Sequence, residues 1–417
     1  MSASVGGRFV RSLCRRQFKQ LSRPIFIGAN CAFTDKNETS NQSPSIVNAG
    51  EFSAAVLKKF SEPLVIEKFD SIKHVKNNEV LIDVHYCALN SSDALLSKNL
   101  YTFAPELPTV LGYELVGKVL KVGEDAEKSG YQVGDKVVAI KREQSGGLAE
   151  QCVADVSDLW KIPSTIKSLD AVSYFDSYIK ALLTLETNVS VQENDILLIN
   201  VGINGVGIAM VDLASNILLG KVISVCSTEE GAALSREKGA YTSLKFKEKN
   251  VLKQVQEVAS EINIKEIFDD DGHKQFKKIL EPFNDIYKKD ISIKDLLHDD
   301  TCSVAVHPLS TRGRVIIFGN VLDQSKCDAG ETGISITTAD FQKIRSENPE
   351  AYRQAGLDVI EFIEEGFVRP TKSLIAGLHK VNDALKFMFE TKIPGKVIID
   401  IRDKEANATQ ILEKKDA

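Results

Sequence analysis

The chain has 417 residues, of which 43% are hydrophobic and 26% charged, and its net charge is −6. That length accommodates two or three domains with buried cores, and the balance excludes a disordered, collagen-like or coiled-coil chain over most of the sequence. A mildly acidic protein offers no general attraction for nucleic acid or an anionic membrane.

Charge is unevenly placed along the chain. Arg8, Arg11, Arg15, Arg16, Lys19 and Arg23 all precede the first acidic residue, Asp35. Arg8, Arg11, Arg15 and Lys19 recur at helical spacing, with Val10, Leu13, Phe18 and Leu21 between them. An Arg-rich, acid-free, amphipathic N-terminus is the pattern of a mitochondrial transit peptide, and a disordered basic tail is the alternative. Residues 1–45 are therefore assigned to a transit peptide and an Asn/Ser/Thr-rich spacer, which places the protein in the mitochondrial matrix. The seven cysteines (Cys14, Cys31, Cys87, Cys152, Cys226, Cys302, Cys327) are scattered, with no C-x-x-C pair. That reads as reduced thiols, not as a disulfide framework or zinc ribbon.

From Phe52 to about Pro163, short runs rich in Val and Ile (79–89, 114–123, 135–141) are punctuated by glycines, which indicates an all-β module of barrel or sandwich type. From Ser164 onward the texture changes. Apolar strands at 195–201, 221–227 and 314–320 alternate with helix-like segments such as 206–218, the pattern of a doubly wound parallel sheet. The run from Ile196 to Gly220 is mostly apolar, but Asn200, Asn204, Asp212, Ser215 and Asn216 would be costly in lipid. A strand, a glycine turn and a buried helix are expected there, and no membrane span. Residues 281–311 read as an insertion, 381–390 as a helix, 396–401 as a final strand, and 404–417 as a polar tail.

After the strand ILLINV comes Gly202-Ile203-Asn204-Gly205-Val206-Gly207, leading into a helix. The dinucleotide fingerprint G-x-G-x-x-G belongs in this strand–turn–helix context, where glycines allow a tight turn and bring the phosphates to the helix N-terminus. Gly202 and Gly207 are in place, and Asn204 stands at the middle position. At the end of the next strand an Asp or Glu would grip the ribose 2′-hydroxyl of NAD. Here the strand ends Val225-Cys226-Ser227-Thr228, with no acid before Glu229. That favours NADPH over NADH, with Lys221 and Arg236 as the nearby cations. The six histidines (His74, His85, His273, His298, His307, His379) form no ligand-spaced cluster, so no metal is expected.

Taken in order, VHYCALNSSD (84–93), ELPTVLGYELVGKVLKVGE (106–124), VGDKVVAI (133–140), GGLAEQCVADVSDLWKIP (146–163), the glycine turn, RGRVIIFG (312–319) and KVNDALKFMFETKIPGKVII (380–399) resemble the medium-chain dehydrogenase/reductase superfamily in its zinc-free quinone oxidoreductase branch. The resemblance implies a GroES-like β-barrel domain at 48–173, completed by 369–403, beside a Rossmann domain at 174–368 with the nicotinamide in the cleft. It also implies a homodimer. In zinc-dependent relatives a catalytic Cys would fall at Asn90 and a His at Tyr113. By resemblance Asn90 and Tyr101 are the catalytic candidates, and Asp93 completes an N-x-x-D motif with Asn90. Gly202, Asn204, Gly205, Val206, Gly207, Ser227, Lys180 and Gly319 are the cofactor contacts. The sequence departs from the family pattern at Lys180 (commonly Thr), Gly231 (often Lys), Phe175 (usually Pro), Asn99 (usually Gly) and Asn204. The reading is a zinc-independent, NADPH-dependent oxidoreductase that passes hydride to a quinone or activated enone. The alternatives are a reductase scaffold that serves by binding a partner, and an enoyl-thioester reductase.

Overall fold

The computed structural model describes residues 50–100, 104–141, 146–187, 193–201, 205–245, 264–269, 303–305, 313–318, 334–339, 341–368, 371–391, 395–403 and 409–410. In chain order the first elements are β1 (Glu51–Leu57), β2 (Val65–Asp70), β3 (Glu79–Leu89), α1 (Ser91–Ser97), β4 (Thr109–Val110), β5 (Glu114–Val122), α2 (Glu124–Lys128), β6 (Lys136–Ile140), β7 (Gln151–Asp155) and β8 (Leu159–Lys161). A long helix, α3 (Ser168–Thr187), leads to β9 (Ile196–Val201), α4 (Val206–Asn216), β10 (Lys221–Cys226), α5 (Glu229–Glu237), β11 (Thr242–Lys245), β12 (Ile264–Asp269), β13 (Ser303–Ala305), β14 (Gly313–Phe318) and β15 (Ile334–Ala339). The chain continues through α6 (Phe341–Glu347), α7 (Pro349–Glu364), β16 (Lys372–Gly377), α8 (Val381–Thr391), β17 (Lys396–Asp400) and β18 (Thr409–Gln410).

β3 is the hub of the β-rich half. Its run EVLIDVHYCAL is buried over most of its length, as a strand covered on both faces must be. One edge pairs with β5. The other is shared, with β7 alongside Glu79–Asp83 and β17 alongside Tyr86–Leu89. Residues more than 300 positions downstream therefore complete this sheet. Its order is β18-β16-β17-β3-β5-β6-β8, with a separate small sheet β2-β1-β4. The barrel anticipated from the resemblance is not closed: among the described residues no strand ladder joins the two sheets, and an isolated bridge between Ala54 and Ala149 is the β-type pairing that links them. The tail also differs from a plain polar extension, because Thr409 and Gln410 pair antiparallel with Ile375 and Leu374.

The second half is a sheet ordered β11-β10-β9-β12-β14, with β15 beside β14 and every one of these pairings parallel. Numbered from its own first strand, this is the 3-2-1-4-5-6 order of a dinucleotide-binding fold. The short β13 joins β14 antiparallel. It falls inside 281–311, and the remainder of that insertion lies outside the described residues, as does the leader. The apolar run Ile196–Gly220 resolves into β9 and the nearly fully buried α4. Among the described residues no helix is long and apolar enough to cross a membrane.

α3 joins the halves and is sunk between them, with Val172, Phe175, Tyr178 and Ile179 in one core with Tyr113 and Val138 of the β-rich side. Phe175 meets Trp160 edge-on at 5.1 Å and is fully buried, so the aromatic ring fills core volume here. On the other side of that indole runs α7, started by Asn348, whose Oδ1 accepts from the Ala351 N–H, and by Pro349 in the first turn. The Trp160 indole N–H donates to the Arg353 carbonyl at 3.0 Å. A Cβ on Gly356 would lie 2.3 Å from the indole nitrogen. Gly356→Ala should therefore push α7 off the indole and cost about 1–3 kcal/mol, read as a lowered thermal midpoint. An unchanged midpoint would show that the seam yields.

Candidate functional site

In an open parallel sheet, ligands sit beyond the carboxyl ends of the strands where strand order reverses. Here the reversal falls between β9 and β12, which end at Val201 and Asp269. α4 begins beside it. Gly205 caps this helix in the left-handed region, with φ 81°, where a side chain is strained. A Cβ there would also lie 3.1 Å from the Ser177 hydroxyl, so the glycine keeps the approach to the helix N-terminus open. Val206 and Gly207 form the first buried turn of α4. Gly202, Asn204, Gly319 and Tyr101 lie outside the described residues.

α4 is aimed by a buried polar knot. The Tyr178 hydroxyl on α3 donates to Asp212 of α4 at 2.5 Å, and the Lys238 ammonium, just past α5, lies 3.4 Å from the same carboxylate. Asn216 Nδ2 donates to the other Asp212 oxygen at 2.8 Å. Three helices are thus pinned to one buried charge.

Ser177 and Lys180 stand three apart on α3 and so share a face. Lys180 is largely buried, with its Nζ 2.5 Å from Asp176 Oδ2 and 5.8 Å from the Phe341 ring centre. The Tyr113 hydroxyl donates to the same Asp176 oxygen at 2.9 Å. Lys180, a departure from the family pattern, and Tyr113, at the position of the zinc-dependent relatives' His, therefore meet on one carboxylate.

Asn90 lies deeper and is 8% exposed. Its Oδ1 accepts from Lys396 Nζ, its Nδ2 donates to Glu114 at 3.1 Å, and its backbone N–H donates to Asp93 at 2.9 Å. Lys396 Nζ also contacts Glu114 at 2.7 Å, and the second Glu114 oxygen accepts the Asp176 N–H at 3.0 Å. Asn90 is therefore held at both ends of its amide by charged neighbours, the geometry of a positioning group. Glu114, Asp176 and Lys396 were not among the residues the sequence singled out. The available signal was a charge inside an apolar strand run, in ELVGKV and in KVIID. Asp93 is fully buried, with Gly112 N–H donating to its second oxygen at 3.0 Å. Burial pushes its carboxyl up to about 6, against the pull of those two backbone donors. Asn99 adopts φ 55°, the left-handed conformation that the usual glycine would supply and that Asn tolerates.

At the carboxyl end of β10, Ser227 follows the strand, and Thr228 caps α5 by accepting the Gly231 N–H at 3.1 Å. Lys221 does not belong here: it opens β10, at the opposite end of the sheet from the crevice. Arg236 does, with its guanidinium 3.0 Å from Glu229. Lys245 joins it, 3.5 Å from the other Glu229 oxygen, because the last residue of β11 is the register partner of Cys226. These two cations hold the Glu229 carboxyl below its usual range. Among the described residues no group of three or more His, Cys, Asp or Glu comes together as a metal site.

Residues 76–164 match the family model of the alcohol dehydrogenase GroES-like domain. Quinone oxidoreductase-like protein 2 of Rattus norvegicus is 23% identical over 355 residues, covering 84% of this chain and 93% of its own. The Nematostella vectensis homologue of that protein is 27% identical over 354 residues, covering 84% and 89%. Among solved structures, Escherichia coli quinone oxidoreductase complexed with NADPH superposes with a TM-score of 0.67 at 18% identity, over 84% of this chain and all of that one.

Over most of its length the chain is similar to quinone oxidoreductases and their relatives, and within 76–164 to the GroES-like domain of alcohol dehydrogenases. Asn90 and Tyr113, which by the resemblance stand where zinc-dependent relatives carry a Cys and a His, are both engaged by protein groups. The Lys396 ammonium against Asn90 is electrostatically hostile to a second cation at that point.

Proposed function

We propose that this protein is a mitochondrial, zinc-independent, NADPH-dependent reductase that delivers hydride to a quinone or an activated enone, working as a homodimer. The observation that carries the reading is the crevice: a parallel sheet in dinucleotide-binding order, whose first strand runs through left-handed Gly205 into the N-terminus of α4. A nicotinamide, when bound, supplies the hydride.

The chain's own residues do the rest. Gly202, Asn204, Gly205, Val206 and Gly207 would hold the pyrophosphate against the α4 amide groups, with the Lys180 ammonium beside the turn and Gly319 at the nicotinamide side. Ser227 would meet the adenosine ribose. Arg236 and Lys245 would bind the 2′-phosphate by displacing the Glu229 carboxylate, which the same two cations hold meanwhile. Lys396 and Glu114 would fix the amide of Asn90 beside the acceptor. The Tyr101 phenol would protonate the acceptor oxygen as charge develops on it.

The test is titration of NADPH and NADH into the protein, followed by nicotinamide fluorescence. NADPH should bind more tightly. Replacing Arg236 and Lys245 together with Ala should weaken NADPH by tenfold or more while leaving NADH nearly unchanged; a tenfold loss is about 1.4 kcal/mol. Binding of neither cofactor would overturn the reductase reading and leave the scaffold that serves by binding a partner.

A further inference from the structure

Lys141 stands immediately after β6, and its backbone N–H donates to the Tyr113 carbonyl at 2.7 Å. Its side chain runs inward, leaving the residue 6% exposed, and Nζ lies 3.4 Å from the sulfur of Cys152, itself 3% exposed. Between them in sequence is Gly146, at φ 127°. A Cβ there would meet Cys152 Sγ at 3.4 Å and Lys141 Nζ at 3.8 Å, so both heads face the same glycine. A lysine placed this deep against a thiol has no part in the proposed hydride chemistry. Nothing in cofactor binding calls for the pair.

The geometry points to a modification site: we propose that Lys141 and Cys152 form a covalent cross-link when the protein meets a peroxide. Cys152 thiol and one peroxide give the sulfenic acid, with a water leaving. A sulfenic acid then condenses with whichever nucleophile is within reach. The other buried thiol of this region is not. Cys87 Sγ packs where Cβ atoms on Gly112 and Gly147 would fall. Cys152 is the register partner of Ile82, five residues along β3 from Cys87. With the bulge between Val84 and Tyr86 taking up one residue, about four steps of 3.3 Å separate their Cα atoms by roughly 13 Å, beyond the roughly 7 Å limit for a disulfide. Burial keeps out bulky thiols such as glutathione. The Lys141 nitrogen is already in contact. Once its ammonium has released a proton to water, the amine attacks the sulfur: the S–N bond forms and the S–O bond breaks. The departing hydroxide leaves as water with one amine proton. Sulfur is oxidised, the peroxide is reduced to two waters in all, and a sulfenamide joins the end of β6 to the start of β7. A small dithiol such as dithiothreitol, admitted when the chain opens locally, reverses it: the reductant becomes a disulfide, and amine and thiol are restored. Because the Lys141 N–H supports Tyr113, the link also stiffens the β-rich wall of the crevice.

The experiment treats the full chain with hydrogen peroxide, alkylates remaining thiols in denaturant, and maps tryptic peptides by mass spectrometry. The expected product joins residues 137–142 to residues 143–161, two hydrogens lighter than their sum, with cleavage after Lys141 blocked. It disappears on dithiothreitol treatment and in Cys152→Ser. The oxidised protein should melt higher than the reduced one, and the gain should vanish with dithiothreitol. In Lys141→Arg, Cys152 should instead run on to sulfinic acid. If Cys152 of the unaltered protein stays fully alkylatable, or reaches sulfinic acid while cleavage after Lys141 continues, the proposal is wrong.

Discussion

Lys396→Met should lower the folding stability of this protein by about 3–5 kcal/mol, seen as a fall in the urea midpoint with little change in slope. The reason is what the ammonium leaves behind. Glu114 is fully buried and Lys396 is 3% exposed. With Lys396 gone, Glu114 keeps the Asn90 amide at 3.1 Å and the Asp176 N–H at 3.0 Å but loses the positive charge at 2.7 Å. An uncompensated carboxylate in that position is far costlier than a neutral group of the same shape. Pairing Lys396→Met with Glu114→Gln should recover most of the loss, because the Gln carbonyl still accepts the Asp176 N–H and no charge remains. If the double variant is as unstable as the single one, the cost comes from lost packing and not from the orphaned charge. Lys396→Met should also weaken cofactor binding, since the Lys396–Glu114–Asp176 chain ties β17 to α3 across the crevice.

That cluster marks the limit of what could be read in the sequence. The strands were legible because burial on both faces demands continuous runs of Val, Ile and Leu: runs at 79–89, 114–123 and 221–227 became β3, β5 and β10 within one residue. The helix after the glycine turn was equally legible, since a strand, three glycines and an apolar stretch leave few other arrangements. Glu114 and Lys396 were not. They are 282 positions apart, and no local pattern reports that β17 returns to lie beside β3. Closure was misjudged for a related reason. Strand runs give element identity, whereas whether two sheets meet depends on bulges such as those in β3 and on pairings at the edges.

Lys221 illustrates a subtler error. It is close to Ser227 in sequence, but six residues of parallel strand carry it to the far end of the sheet. Lys245 is far in sequence and yet beside Cys226, because parallel register brings the ends of neighbouring strands together. Strand direction alone separates the two: only residues at carboxyl ends can reach the ligand. Lys180 was visible as a departure from the family pattern, and Tyr113 as the residue at the position of the zinc-dependent relatives' His. Their meeting on Asp176 was not, since it depends on α3 crossing behind β5.

Asp93 gives the second large effect, and its sign is opposite to that of a carboxylate held by a cation. Its carboxyl is raised from 3.8 to about 6 in the folded protein, by burial first of all. Below pH 4 the residue is protonated whether the chain is folded or not, and it does not alter stability with pH. Between pH 4 and 6 the unfolded chain releases the proton while the folded chain keeps it, so stability falls as pH rises. Above pH 6 the loss is complete, at about 3 kcal/mol for a shift of about two units. Asp93→Asn removes the titration. The stability of the native protein relative to Asp93→Asn, followed by urea unfolding from pH 4 to 7, should therefore drop by about 3 kcal/mol across that range and then level off. The variant has its own offset at every pH, because an amide presents a donor to either the Asn90 or the Gly112 N–H, both of which now point at oxygen. That offset is independent of pH and cannot imitate the slope. A flat difference would mean that the two backbone donors outweigh burial and keep the carboxylate ionised in the folded protein.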